Sequence, residues 1–212
     1  MKIAVIGAGH IGGTLTRRFT ALGHEVCVAN SRDPESLASL ASETGATAGW
    51  ASEVARGADL VIVTIPEGRI PELPSNLLEG TPATSPIVDT GNYYPQRDGR
   101  IEALEGGMTE SRWVSTQLGR SVIKCFNNIA AGSLLADGKP AGTPGRIAPP
   151  VAGDDEAAKA TVMTLVDDLG FDPVDAGGLD DSWRQQPDTP VYGANRDAAG
   201  VREGLAAATR LR

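Results

Sequence analysis

The chain has 212 residues, of which 41% are hydrophobic and 22% charged, so it can bury the core of an ordinary globular protein. Its formal net charge of -8, with no basic stripe, speaks against a nucleic-acid partner. The two cysteines, Cys27 and Cys125, lie inside apolar runs and argue against a disulfide framework. No secretory leader and no run of roughly 18 apolar residues is read, so the expectation is a cytoplasmic protein without a membrane contact.

In chain order, "KIAVIG" reads as a fully buried strand that runs straight into glycines. Ile11, Leu15, Phe19 and Leu22 then recur at helical spacing up to Gly23. "HEVCVAN" is a second strand, with His24 as a surface turn residue at its start. Residues 34 to 43 read as a helix with Pro34 in its first turn. Strand-like "ATAGW" and a short helix from Ser52 follow. "ADLVIVTIP" is apolar on both faces, as a central parallel strand should be. Pro71 and Pro74 predict a short or broken helix over 67 to 78, and "SPIVDTGN" and "RSVIKCFNN" are the next two strands. The Gly- and Pro-rich stretch from Ala136 to Pro150 reads as a loop. Beyond it, "RIAPPVAGDD" and "FDPVDAG" are strand candidates around a helix capped near Asp154 or Asp155, and residues 195 to 212 read as a helical tail. Strands alternating with helices predict an α/β fold: a Rossmann-type doubly wound parallel sheet with a small C-terminal α/β extension. The expected division is a nucleotide-binding domain over residues 1–130 and a small substrate or dimerisation domain over 131–212.

The first loop carries Gly7, Gly9 and Gly12 with His10 and Ile11 between the last two, a G-x-G-x-x-G run after a strand and at the opening of a helix. That context makes it a dinucleotide signal: one glycine for the turn, one so the pyrophosphate can approach, one for close helix–strand packing. A free helix N-terminus adds partial positive charge. A cofactor without a 2′-phosphate usually meets an acid at the end of the second strand. Here that strand ends in Asn30, Ser31 and Arg32, a hydroxyl donor and a guanidinium fork that suit a phosphate. The expected cofactor is therefore NADP(H), with Asp33 as a helix cap rather than a ligand group.

A ligand in such a sheet lies over the carboxyl ends of the strands. Thr64, Ile65 and Pro66 form one such end, where Ile65 and Pro66 would give an apolar wall, and Asn92, Asn127 or Asn128 would give a hydrogen bond to a carboxamide or second substrate, or else turn contacts. With only His10 and His24 and no Cys/His cluster, no metal site is expected. His10 reads as a loop side chain pointing to water, near enough to approach the cofactor. Lys124 is unusual inside "SVIKCF". It reads as a strand-end lysine reaching water, or as a proton donor alongside Tyr93, Tyr94 or Tyr192 if the acceptor were a small carbonyl or imine. A non-catalytic NADP sensor is a third reading. The segment from Gln185 to Tyr192 reads as a lid or domain contact.

"MKIAVIGAGHIGG", "NSR", "VTIP", "DTGNYYPQRDGR" and "IKCFNN" together resemble the F420-dependent NADP reductase family, and the likeness runs on through "PVAGDDEAAKATVMTLVDDLGFDPVDAG" and "SWRQQPDTPVYG". The resemblance implies an oxidoreductase that holds NADP(H) and coenzyme F420 side by side, passing hydride directly between the rings without a required catalytic side chain. It implies pyrophosphate on residues 7 to 12, the 2′-phosphate on Ser31 and Arg32, and Ile65 and Pro66 beside the nicotinamide. Asn30 stands where family members often carry glycine. A small-molecule redox substrate and a homodimer are the implied partners.

Overall fold

The computed structural model describes residues 1–210. Lys2–Ile6 form β1, His10–Ala21 α1 and Glu25–Ala29 β2. Ala38–Thr44 form α2, Thr47–Ala48 β3, Ala51–Val54 α3 and Leu60–Val63 β4. Ile87–Asp89 are β5, Pro95–Asp98 α4, Glu102–Glu105 α5, Glu110–Leu118 α6 and Ile123–Lys124 β6. Ala131–Ala136 are α7, Pro150–Val151 β7, Glu156–Asp168 α8, Val174–Asp175 β8 and Ala198–Ala207 α9.

The main sheet is parallel throughout, in the order β3-β2-β1-β4-β5-β6. This is the doubly wound Rossmann-type arrangement expected from the sequence, with its topological switch between β1 and β4. Successive side chains of β1 alternate faces. Ile3 and Val5 join one buried cluster with Leu15 and Phe19 of α1, while Ala4 and Ile6 join another with Val54, Tyr93 and Trp113. Both faces are covered, which is why the strands read as unbroken apolar runs.

Beyond β6 the chain pairs again. Ala152 bridges antiparallel to Lys124, with amide–carbonyl distances of 2.8 and 3.1 Å. β7 and β8 form a separate parallel pair. α8 and the turn after it place Val162, Val166 and Phe171 in the same buried cluster as Leu15 and Ile123.

Several local expectations change. The helix read over 34 to 43 is a 3-10 turn, Pro34–Leu37, followed by α2. The stretch from 67 to 78 holds one 3-10 turn, Glu67–Glu72, because Pro71 and Pro74 withhold the N–H groups an α-helix would use. α4 to α7 lie where no helix was read. The helical tail is α9, capped by Asp197, and the two last residues of the predicted stretch lie outside the described ones. His24 precedes β2 and is half-buried, its ring edge-on to Phe19 at 5.6 Å between centroids. Among the described residues, no helix is long and apolar enough to cross a membrane.

Candidate functional site

The glycine loop sits between β1 and α1 and shows why each glycine is needed. Gly7 has φ +109°, and a Cβ there would stand 2.3 Å from the Thr64 carbonyl oxygen. A Cβ on Gly12 would stand 1.9 Å from the Gly7 carbonyl oxygen and 2.6 Å from Thr64 Cγ2, so helix and strand could not pack. Gly9 differs: nothing lies within 4 Å of where its Cβ would be. That open space lies at the N-cap of α1, a 12-residue helix whose first-turn N–H groups have no acceptor within the helix. His10 is exposed at the first helical position and Ile11 half-buried behind it. The cradle fits a pyrophosphate, because its open face is backbone N–H and its closed faces exclude side chains.

At the end of β2, the Asn30 side chain shapes the loop. Its Oδ1 accepts from the Arg32 backbone N–H at 2.8 Å, and its Nδ2 lies 2.9 Å from Ser36 Oγ. Asn30 thus positions Ser31 and Arg32 instead of standing free for a ligand. Asp33 caps the 3-10 turn by accepting from the Ser36 N–H at 3.1 Å, so the nearest acid is engaged in the backbone. Ser31 and Arg32 are exposed, and the Arg32 guanidinium has no protein partner among the described residues. A free guanidinium beside an acid-free strand tip fits the 2′-phosphate of NADP(H).

The ends of β4, β5 and β6 supply the far side. Thr64 and Ile65 are half-buried and Pro66 exposed. Three amides lock together. Asn127 Nδ2 donates to Asn92 Oδ1 at 3.0 Å and to the Gln185 carbonyl at 2.7 Å. Asn92 Nδ2 donates to the Asn127 carbonyl at 2.9 Å, and Gln185 Nε2 to Asn127 Oδ1 at 3.0 Å. Asn127 and Asn128 are buried, Asn92 half-buried. Phe126 precedes them with φ +62°, an unusual conformation for a bulky residue. The segment read as a lid or contact is held against this corner. Val191 accepts from Asn128 Nδ2 at 3.4 Å, the Gly193 N–H donates to the Asn128 carbonyl at 3.0 Å, and the Tyr192 and Tyr94 hydroxyls are hydrogen-bonded. Burial, then that hydrogen bond, pushes the Tyr94 hydroxyl well above its ordinary pKa.

Lys124 does not reach water. It is 0% exposed and ion-paired; β6 is the last strand of the sheet, and Ala152 bridges its outer edge. Its Nζ donates to the Gly91 carbonyl at 2.6 Å and to Asp89 Oδ2 at 3.2 Å, with Glu110 Oε2 at 3.6 Å. Asp89 also accepts from Ser111 Oγ at 2.6 Å and from the Gly91 N–H at 2.8 Å. Burial pulls the ammonium's pKa down, but its carboxylate neighbours, Asp89 foremost, outweigh it and the ammonium is held above its ordinary value. Tyr93 is buried as well. Its hydroxyl accepts from the Ile101 N–H at 3.0 Å and lies 2.9 Å from Glu105 Oε1 and 3.1 Å from the Gly99 carbonyl. Sequence reasoning missed Glu67, Asp89 and Glu110 as Lys124's surroundings. A readable signal was Thr109 before, and Gly119 after, the stretch that forms α6.

The family model for NADP oxidoreductases, coenzyme F420-dependent, matches residues 2–93. "Putative protein YjhV" of Escherichia coli (strain K12) is 55% identical over 60 residues, which is 28% of this chain and 44% of that protein. The chain thus matches less than half the length of that curated relative. The crystal structure of hypothetical protein SMa0349 from Sinorhizobium meliloti is 32% identical, with a TM-score of 0.79 over 92% of this chain and 94% of that one. A "putative f420 dependent nadp-reductase" from Arthrobacter sp. FB24 is 27% identical, with a TM-score of 0.66 over 84% and 85%.

Proposed function

The chain belongs to the NADP oxidoreductase family described as coenzyme F420-dependent, and on that premise we propose that it binds NADP(H) along the carboxyl edge of its sheet and exchanges hydride with coenzyme F420 or a flavin-like carrier. When bound, NADP(H) supplies or accepts the hydride at its nicotinamide ring. Gly9 and the α1 N-terminus receive the pyrophosphate. Ser31 and Arg32 hold the 2′-phosphate, with Asn30 fixing their loop. Thr64, Ile65 and Pro66 wall the nicotinamide half, and the Asn92–Asn127 pair closes its far end. The part of the chain from residue 131 supplies the wall beyond it, and a homodimer in a cytoplasmic setting belongs to the same reading. Sedimentation velocity tests the dimer.

Hydride transfer between two bound rings asks for proximity and alignment more than for a strong acid. The partners of the candidate donors support that reading over reduction of a carbonyl or imine. Lys124 and Tyr93 are buried and held by fixed protein groups, and the half-buried Tyr94 and Tyr192 hydroxyls are bonded to each other.

The observation that carries the proposal is the unpartnered Arg32 at an acid-free β2 tip, beside a glycine cradle open at Gly9. Arg32→Ala is expected to weaken NADPH binding by about 1.5–3 kcal/mol, the scale of a charged hydrogen bond, and to leave NADH nearly unchanged. Calorimetry with both cofactors measures this, and equal losses refute the placement. Mixing wild-type protein with NADPH and F420 and following absorbance tests the acceptor. No exchange despite tight NADPH binding would overturn that half of the proposal.

A further inference from the structure

Glu67 follows Pro66 directly and opens the 3-10 turn after β4, sharing its buried side with Ile70. It is 0% exposed, and neither carboxyl oxygen has a hydrogen-bond partner. The charged groups that act on it come from four elements: Asp89 from β5, Lys124 from β6, Glu110 from α6, and Asp98 from α4. Arg97, also from α4, is committed elsewhere, donating to Asp98 Oδ2 at 2.8 Å and to the Asn92 carbonyl. The nearby buried ammonium, on Lys124, is already bonded to Asp89 and faced by Glu110. An ionised Glu67 would be one buried anion too many, with no donor turned toward it. Burial first, then the Asp89 carboxylate, pushes its pKa well above the ordinary value, against a weaker pull from Lys124.

What Glu67 touches gives that proton a role. A Cβ on Gly91 would stand 2.4 Å from Glu67 Oε1 and 3.1 Å from Asp89 Oδ1, so both carboxyls occupy the space where a side chain at this position would begin. The Gly91 N–H is held by Asp89 and its carbonyl by Lys124. Asn92 comes next and carries the bridge to Asn127. Gly91 and Asn92 are therefore positioned by an ionic socket whose charge balance rests on Glu67.

We propose that Glu67 is a positioning residue held as a neutral carboxylic acid, and that losing its proton to solvent displaces Gly91–Asn92 and weakens NADP(H) binding at the nicotinamide end of the cleft. The second half rests on the cofactor placement proposed above; the first half does not.

The test compares wild type with Glu67→Gln, which keeps the shape and cannot ionise. For an acid whose folded pKa is raised, stability is full below the unfolded pKa and is lost as pH rises toward the folded one. Across that window the folding equilibrium of wild type should fall about tenfold per pH unit relative to Glu67→Gln. Chemical denaturation of cofactor-free protein from pH 5 to 9 reads this. NADPH affinity should fall at alkaline pH in wild type and hold level in Glu67→Gln. A pH-independent stability ratio between the two proteins overturns the neutral acid. Parallel affinity profiles overturn the positioning role.

If Glu67→Gln does not fold, wild-type protein labelled with 13C at glutamate Cδ decides the first half by NMR. One glutamate should remain protonated at neutral pH, and ordinary titration of all of them refutes it. Failure of the cofactor proposal looks different, since wild type would then bind no NADPH at any pH.

Discussion

Gly9 and Gly12 belong to one motif, yet adding a methyl group to each should have opposite consequences. Gly12→Ala places Cβ 1.9 Å from the Gly7 carbonyl oxygen and 2.6 Å from Thr64 Cγ2. The first contact is backbone, so no rotamer change relieves it, and α1 must move off β1. Overpacking of this kind costs about 1–3 kcal/mol, and the gain of up to about 1 kcal/mol from alanine's helix preference does not offset its upper end. At roughly 2–4 °C per kcal/mol for a chain of this size, Tm should fall by several degrees. Gly9→Ala meets nothing within 4 Å, and its φ of -74° and ψ of -160° are open to any L-residue. Its stability cost should stay below about 1 kcal/mol, the loss of a favourable cap residue. Its methyl group, however, fills the space where the pyrophosphate would approach the α1 N-terminus. NADPH affinity should drop at least about tenfold, or 1.4 kcal/mol. Thermal melts of the free proteins and calorimetric titration with NADPH measure both quantities. If Gly9→Ala binds NADPH as wild type does, the pyrophosphate is not where the loop geometry puts it. If Gly12→Ala melts as wild type does, the close approach of Gly7 and Gly12 is not what holds the strand and helix together.

Lys124→Met should be among the most destabilising single changes in the chain. It leaves Asp89 and Glu110 buried without their ammonium, a loss of about 3–5 kcal/mol, read from urea unfolding; a loss under 1 kcal/mol would contradict the socket. The Tyr94 and Tyr192 hydroxyls tie the 185–193 segment to the turn before α4. A double-mutant cycle with Tyr94→Phe and Tyr192→Phe should show a coupling of about 0.5–1.5 kcal/mol in stability, whereas additive effects would mean the two hydroxyls do not depend on each other.

What the sequence disclosed and what it withheld divide along a physical line. β1, β2, β4 and β5 were readable because both faces of a central parallel strand are buried, so the strand writes itself as a continuous apolar run. The glycine loop was readable because its three glycines fall within six residues after a strand, although part of what enforces Gly7 and Gly12 comes from Thr64 on β4's end. Asp33's capping role was local in the same way. Lys124 defeated the same reasoning. Its burial depends on Asp89 and Glu110, which lie 35 and 14 positions away and on different elements. No spacing rule links them, and without α6 in view Glu110 had no reason to point inward. The amide lock of Asn92, Asn127 and Gln185 was hidden for the same reason, since it joins two strand ends to a 3-10 turn 58 residues further on. Asn30 was half-legible: its place at the strand tip was clear, but the turn that engages its amide with Arg32 and Ser36 was not. Glu67 left one trace, its three-residue spacing from Ile70 just after Pro66, which puts a carboxyl and an apolar side chain on one side of a 3-10 turn. A carboxyl on the apolar side of a turn at a strand's carboxyl end has either a buried partner or a bound proton. That choice depends on charges brought in from other elements, so it could only be decided once the fold had assembled them.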